Sequence, residues 1–273
     1  MTALSIIIPA SNEGPWIGAC LGAVFASDPV PGGAEVIVVA NGCRDDTAAA
    51  ARAVPVPPGW TCRVLDLAEG SKPGALDAGD AVAQSAARAY LDADCVVSPA
   101  VFAQIAAALN RPAPVYVGAT PVIPRAASAI TRAYGRFWQR LPFNRAVAPG
   151  YGLYAVNGPG RARWGGFPRL ISDDTFVRLQ FTPDERVQVP APYDWPMVEG
   201  WAALVKVRRR QDAGLRELQD HHPGLFAHEG KARLGKGQLL ALALRDPLGF
   251  ATYAAVSLAV RRSRGGPGFT RGR

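Results

Sequence analysis

The 273-residue chain has only three histidines and four cysteines. Cys20, Cys43, Cys62 and Cys95 form no C-x-x-C pair, and the histidines lie far from all four, so a zinc site is not expected. No G-x-G-x-x-G follows the first β-rich run, and G-x-x-x-x-G-K-S/T and G-x-S-x-G are absent. Neither a dinucleotide-binding motif, a phosphate-cradling P-loop nor a hydrolase nucleophile elbow is therefore supported. No apolar run reaches the roughly 17–20 residues that a spanning helix needs. Leu239–Leu244 is cut by Arg245-Asp246-Pro247, and Leu248–Val260 is 13 residues long. Met1-Thr2-Ala3 leads straight into a strand pattern, and the cysteines are scattered. The expectation is a reduced, cytoplasmic protein without a signal peptide.

What is present is a globular composition, 49% hydrophobic and 19% charged, enough for one large domain or two small ones. Gly 29 and Pro 24 point to many turns. The net charge of +8 is unevenly placed. Residues 1–199 carry 16 basic against 17 acidic side chains, and residues 200–273 carry 14 against 5, giving −1 and +9. A phosphorylated substrate or an anionic membrane surface accounts for such a bias. Nucleic acid is not expected, since no recognised motif accompanies the charge.

Leu4–Ile8 is near-continuously β-branched and reads as a buried strand, followed by a turn at Ser11–Pro15 and a helix carrying Ile17, Cys20, Leu21 and Val24. Glu35–Val39, Cys62–Asp66 and Tyr90–Leu91 read as further strands, with alanine-rich helices after Thr47 and Lys72. The strand–helix period of about 25–30 residues indicates parallel β-α units. Beyond residue 100 the pattern gives a helix over 101–109, a strand over 115–119 and an amphipathic aromatic helix over 126–141. A short strand over 153–156, a flexible aromatic loop over 164–168, a short helix over 174–181 and an edge strand over 187–189 follow. The carboxyl ends of the first, second and fourth strands carry Pro9–Glu13, Ala40-Asn41-Gly42 and Asp92-Ala93-Asp94, which places them side by side where ligands bind in such sheets. In an extended segment Asp92 and Asp94 face the same way, and a cation or a sugar hydroxyl would relieve their repulsion; a helix-capping turn is the plainer alternative.

Five stretches in order, Ser5–Glu13, Val38–Thr47, Gly70–Gly79, Leu91–Asp94 and Gly166–Asp174, resemble the family 2 glycosyltransferases over roughly residues 3–215. The resemblance implies an α/β GT-A fold with a single, mostly parallel Rossmann-like sheet. A donor half of about 1–120, an acceptor half of about 121–215, a helical extension at 216–262 and a basic disordered tail at 263–273 complete it. It implies inverting, non-processive transfer from a nucleotide-diphosphate sugar, UDP favoured over GDP, to a sugar or lipid-linked acceptor hydroxyl. Val205–Gly214 lacks the Q-x-x-R-W of processive members.

By the same resemblance Pro9, Ser11, Glu13, Asn41, Lys72 and Asp92 would contact the donor. Arg208 and Arg210 would reach the diphosphate, and Asp94 with Asp92 would hold Mg²⁺ or Mn²⁺. Trp164, Gly166 and Phe167 would line the acceptor side, and Asp174, beside Asp173, would be the general base. Asp173 stands where the family commonly has Glu, and Ala40 where it frequently has an acidic residue. The apolar stretches and arginines of 238–264 suit peripheral contact with an anionic membrane, on the inner face of the plasma membrane. A catalytically silent nucleotide- or glycan-binding partner and a nucleotidyltransferase are the rival readings. The latter normally has a basic loop after its first strand, which Pro9–Gly14 lacks.

Overall fold

The computed structural model describes residues 3–230 and 234–262. In chain order the elements are β1 (Leu4–Ala10), α1 (Gly14–Phe25), β2 (Ala34–Asn41), α2 (Thr47–Ala53), β3 (Trp60–Leu67), α3 (Lys72–Val82), β4 (Arg88–Leu91), β5 (Val96–Val97) and α4 (Val101–Leu109). There follow β6 (Tyr116–Val122), α5 (Ala129–Trp138), β7 (Leu153–Val156), α6 (Gly158–Arg161), α7 (Asp173–Arg178), β8 (Arg186–Asp194), α8 (Gly200–His221), α9 (Lys236–Arg245) and α10 (Pro247–Arg262). The basic tail expected to be disordered from 263 to 273 lies outside the described residues.

Two units divide the chain. The first runs to Val122 and includes Val147–Arg169 and Asp173–Trp195; the second takes Ile123–Ala146, Leu170–Ser172 and the residues from Pro196 on. The first unit holds one eight-stranded mixed sheet in the order β3-β2-β1-β4-β7-β6-β8-β5. β1 pairs in parallel with β2 and β4, and β2 with β3, while β7 runs antiparallel to both β4 and β6. β1 and β2 are buried almost throughout, as a sheet covered on both faces requires, and this is why their sequences read as unbroken apolar runs. Ile6 and Ile8 pack with Ile17, Leu21 and Val24 of α1 in the core. The order β2-β1-β4 sets the three carboxyl ends next to one another, as the strand pattern implied.

Three expectations change. Asp92 and Asp94 do not continue an extended strand: β4 ends at Leu91, and the Cys95 N–H donates to the Asp92 carbonyl at 3.1 Å, closing a tight turn. β8 is longer than 187–189 and runs to Asp194, where two-residue β5 pairs with Tyr193 and Asp194; residues 187–189 keep a strand neighbour on the β6 side alone, as an edge segment does. Pro190 is tolerated because the β6–β8 register slips between Gly118 and Thr120, leaving residues 189–191 without a β6 partner; no ladder bond needs its missing N–H. The 164–168 segment is a packed turn whose Trp164 and Phe167 are buried, not a loose loop. The helix ends also move: α5 stops at Trp138, where a 3₁₀ turn over Pro142–Arg145 follows, and α7 spans Asp173–Arg178.

In the second unit, Tyr134, Leu204, Val256 and Val260 form a small core among α5, α8 and α10. Gly214 of α8 is required there, since a Cβ would lie 2.9 Å from that of Ile171. Among the described residues no helix is long and apolar enough to cross a membrane.

Candidate active site

The loops at the carboxyl ends of β1 and β2 are laced together by their own short polar residues. Asn12, held at a positive φ of 59°, accepts the Arg44 N–H at 2.7 Å. The Gly14 N–H donates to Asp45 at 3.1 Å and the Glu13 N–H to Thr47 Oγ1 at 2.8 Å. Asn41 is buried, and its NH₂ donates to the Ala10 carbonyl at 2.9 Å. The Asn41 amide nitrogen is thus engaged by the protein, donating also to the Val39 carbonyl at 3.3 Å.

Lys72 joins segments distant in sequence. It opens α3, whose N-cap Ser71 accepts the Gly74 N–H at 3.2 Å. Its Nζ lies 3.0 Å from Asp92 Oδ1, in the turn after β4, and 3.4 Å from Asp173 Oδ2, at the start of α7. Burial pushes the ammonium down, but Asp173, Asp92 and Asp174 outweigh it and hold its pKa above the ordinary lysine value. Asp173 is only 3% exposed, and burial pushes its carboxyl up to about 6; Lys72 opposes this, and Asp174 and Asp92 add to it. Pro9, Lys72, Asp92, Tyr154, Asp173 and Asp174 line one cleft. Asp174 is half-buried there and accepts the Thr175 N–H at 2.6 Å.

Asp173 therefore has a signature of its own. Between its ordinary value of 3.8 and about 6, the folded state holds a proton that the unfolded chain has released. Stability is then highest below this window and falls as pH rises through it. Urea melts across that range are expected to show this slope in the wild type and not in Asp173→Asn, which becomes the more stable protein at neutral pH. Parallel pH profiles for the two would remove the basis for this assignment.

The sequence reading missed several residues that shape the cleft. Gly150 and Gly152, both at positive φ, bring the backbone against it, and the Gly152 carbonyl accepts the Asp92 N–H at 2.7 Å. A Cβ on Gly152 would lie 2.6 Å from Cys95 Sγ. Glycine punctuation ahead of β7 was the available signal. Asp80 of α3 accepts from Arg88 at 3.1 Å, Arg161 at 2.7 Å and Tyr90 OH at 2.9 Å. Arg161 in turn lies over the Trp164 ring and donates to the carbonyls of Trp164 and Gly165, while Asp77 accepts the Phe167 N–H at 2.8 Å. The Trp164–Phe167 turn is thereby held to α3, with exposed Gly166 between its buried aromatics. Phe167 also lines a second cleft with Asp66, Ser71, Asp77 and Arg169.

Three other expected site residues have surroundings of their own. Ser11 Oγ is buried without a hydrogen-bond partner, and Arg208 and Arg210 lie on α8 of the second unit. There Arg208 donates to Asp212 at 2.9 Å, Tyr253 OH at 3.1 Å and Tyr134 OH at 3.4 Å.

Asp94 is not among the residues that line the cleft; with Asp92 it puts two carboxylates, donors of the type hard divalent cations prefer, in the turn after β4. Among the described residues no group of three or more His, Cys, Asp or Glu side chains forms a metal cage.

Residues 5–162 match the model of glycosyl transferase family 2, and no curated protein matches by sequence. Solved structures share the fold. The mannosyltransferase PcManGT from Pyrobaculum calidifontis, in complex with GDP-Man and Mn²⁺, is 20% identical with a TM-score of 0.59, covering 96% of this chain and 75% of its own. TarS from S. aureus, in complex with UDP-GlcNAc, is 14% identical with a TM-score of 0.53, covering 96% and 92%. Glucosyl-3-phosphoglycerate synthase from Mycobacterium tuberculosis, in complex with Mn²⁺, UDP and glucosyl-3-phosphoglycerate, is 20% identical with a TM-score of 0.55, covering 80% and 78%. The family match covers more than half of the sequence and takes in β1 to β7, the Lys72 helix and the Asp92–Asp94 turn, so the chain belongs to glycosyl transferase family 2.

Proposed function

We propose that this glycosyltransferase moves a sugar from a nucleoside-diphosphate sugar to an acceptor hydroxyl in a single, inverting and non-processive displacement. The observation that carries the reading is the bridge from Lys72 to Asp92 and Asp173, at 3.0 and 3.4 Å. It brings a cation and the carboxylates of two distant loops into one cleft, where a diphosphate and a reacting hydroxyl need opposite charges side by side. Asp173 and Asp174 lie beyond the matched residues 5–162, so their assignment rests on this geometry and on the motif resemblance.

In this reading Pro9, Ser11, Glu13 and Asn41 form the nucleoside side. The Asn41 oxygen accepts a ring N–H of the base, the N3–H of a uracil in the UDP-sugars that the motif resemblance favours over GDP-sugars. Both bases occur among the neighbours, with GDP-Man in PcManGT and UDP-GlcNAc in TarS. Asp94 and Asp92 would hold Mg²⁺ or Mn²⁺, which would supply charge compensation for the departing nucleoside diphosphate. Lys72 orients the donor, Asp173 anchors Lys72, and Asp174 takes the proton of the attacking hydroxyl as inversion requires. Gly166 and the turn held by Asp77 and Asp80 border the acceptor side. The acceptor class that suits the basic, apolar second unit is a lipid-linked or cell-envelope glycan, used at the inner face of the plasma membrane.

The test is a panel of UDP- and GDP-sugars titrated with and without Mn²⁺. In Mn²⁺, Asp94→Ala is expected to weaken binding of the preferred donor about 100-fold, or about 2.7 kcal/mol. Without the ion the two proteins should bind alike. A panel in which no donor binds under any condition, or in which Asp94→Ala binds as well as the wild type in Mn²⁺, sinks the assignment.

A further inference from the structure

The corner formed by α9 and α10 in the second unit is built unlike a water-facing helix pair. α9 contains four leucines, and none of its ten residues is buried. Leu240 is 62% exposed and Leu244 75%; at i and i+4 they share one face of the helix. Leu248, at the start of α10, is 66% exposed. A single exposed leucine means little, but a ten-residue helix that buries none of its four leucines lacks the packing that normally stabilises a short helix.

The charges around these leucines are of one sign. Between Lys236 and Arg262 the basic side chains are Lys236, Arg245, Arg261 and Arg262, all exposed, and the one acidic residue is Asp246. Asp246 is buried and committed: it accepts from Arg136 at 2.7 and 2.8 Å, from Arg140 at 3.2 Å and from the Gly249 N–H at 3.0 Å. Those bonds fix the bend between α9 and α10 onto α5. They also remove the segment's only carboxylate from the exposed surface.

We infer that the α9–α10 corner is a monolayer-inserting anchor for anionic lipid, with Leu240, Leu244 and Leu248 entering the acyl boundary and Lys236, Arg245, Arg261 and Arg262 meeting the headgroups. A helix of ten residues is about 15 Å long, half the bilayer core, so it lies in the interface and does not cross it. A second copy of the chain is the poorer occupant, because pairing this corner with itself would bring like charges together, whereas an anionic surface neutralises them. The anchor stands independently of the chemistry assigned to Lys72 and Asp174.

The experiment is co-sedimentation of the full chain with vesicles of phosphatidylcholine alone and of phosphatidylcholine with about one-third phosphatidylglycerol. The wild type is expected to partition onto the anionic vesicles, and Leu240→Glu/Leu244→Glu to lose at least about tenfold of that partitioning with an unchanged Tm. Arg261→Gln/Arg262→Gln should lose several-fold on anionic vesicles and nothing on neutral ones. Wild type that stays in solution with anionic vesicles overturns the inference, as does a double leucine variant that partitions like the wild type. So does a wild-type dimer in sedimentation velocity that Leu240→Glu/Leu244→Glu converts to monomer, since the face would then be a contact between copies.

Discussion

Asp174→Asn is expected to bind the donor within a few-fold of the wild type and to lower kcat by about 10³, in the range over which a positioned general base contributes. The choice of Asp174 over its neighbour follows from how the two carboxylates are held. Asp173 is buried and ion-paired to Lys72, so its position is fixed by the donor side of the cleft. Asp174 lines the same cleft but is half-exposed, and its Oδ1 accepts from the N–H and hydroxyl of adjacent Thr175, a local contact that keeps the carboxylate at the cleft surface, where a hydroxyl would arrive. An amide of nearly the same shape keeps the helix start and the cleft but cannot take a proton. Donor affinity and turnover should therefore separate in Asp174→Asn and fall together in Lys72→Met. Steady-state kinetics with the preferred donor, beside a direct binding titration, reads both. If Asp174→Asn keeps full kcat while Asp173→Asn loses it with donor affinity intact, the roles of the two residues are reversed.

The parts of this arrangement legible in the sequence are those set by local pattern. Doubly buried β1 and β2 announce themselves as apolar runs, and the polar residues after Pro9, Ala40 and Leu91 mark where the chain leaves the sheet. The resemblance placed Lys72, Asp92 and Asp174 in one site, but no local rule gives the Lys72–Asp173 pairing, because contact across a hundred residues depends on how α3 and α7 settle on the sheet. Asp77, Asp80 and Arg161 escaped for a related reason. Two acidic residues on an alanine-rich helix read as its wet face, and only the fold turns them toward the Trp164–Phe167 turn. Proline argued against a long β8, correctly in energetic terms, and the register slip after Gly118 is the local exception that admits it. Asn41 was located by its strand end, but its bond to the Ala10 carbonyl needed the neighbouring strand in place.

Gly79→Val is expected to lower unfolding free energy by about 4 kcal/mol and to impair donor binding at a residue that is seven positions from Lys72. Gly79 lies in the middle of α3, where glycine is a poor helix former, so a local argument would replace it with profit. The packing argues the reverse. A Cβ at this position would lie 2.5 Å from Cγ2 of Ile7 and 3.3 Å from its Cγ1. Ile7 is fully buried in β1, and its branched side chain has little freedom to turn away. The helix must therefore lift from the sheet. Lys72, Asp77 and Asp80 ride on that helix, and their bonds to Asp92, Phe167 and Arg161 are short enough that a displacement of about one ångström breaks hydrogen-bond geometry. Even Gly79→Ala should destabilise, the clash exceeding the roughly 1 kcal/mol that alanine gains in a helix. Ile7→Ala removes both offending γ-carbons, so in a double-mutant cycle Gly79→Ala/Ile7→Ala should be more stable than the sum of the two single changes by at least about 1 kcal/mol. Additive losses would mean that α3 does not rest on Ile7 through Gly79, and that the position of Lys72 is set by its carboxylates alone.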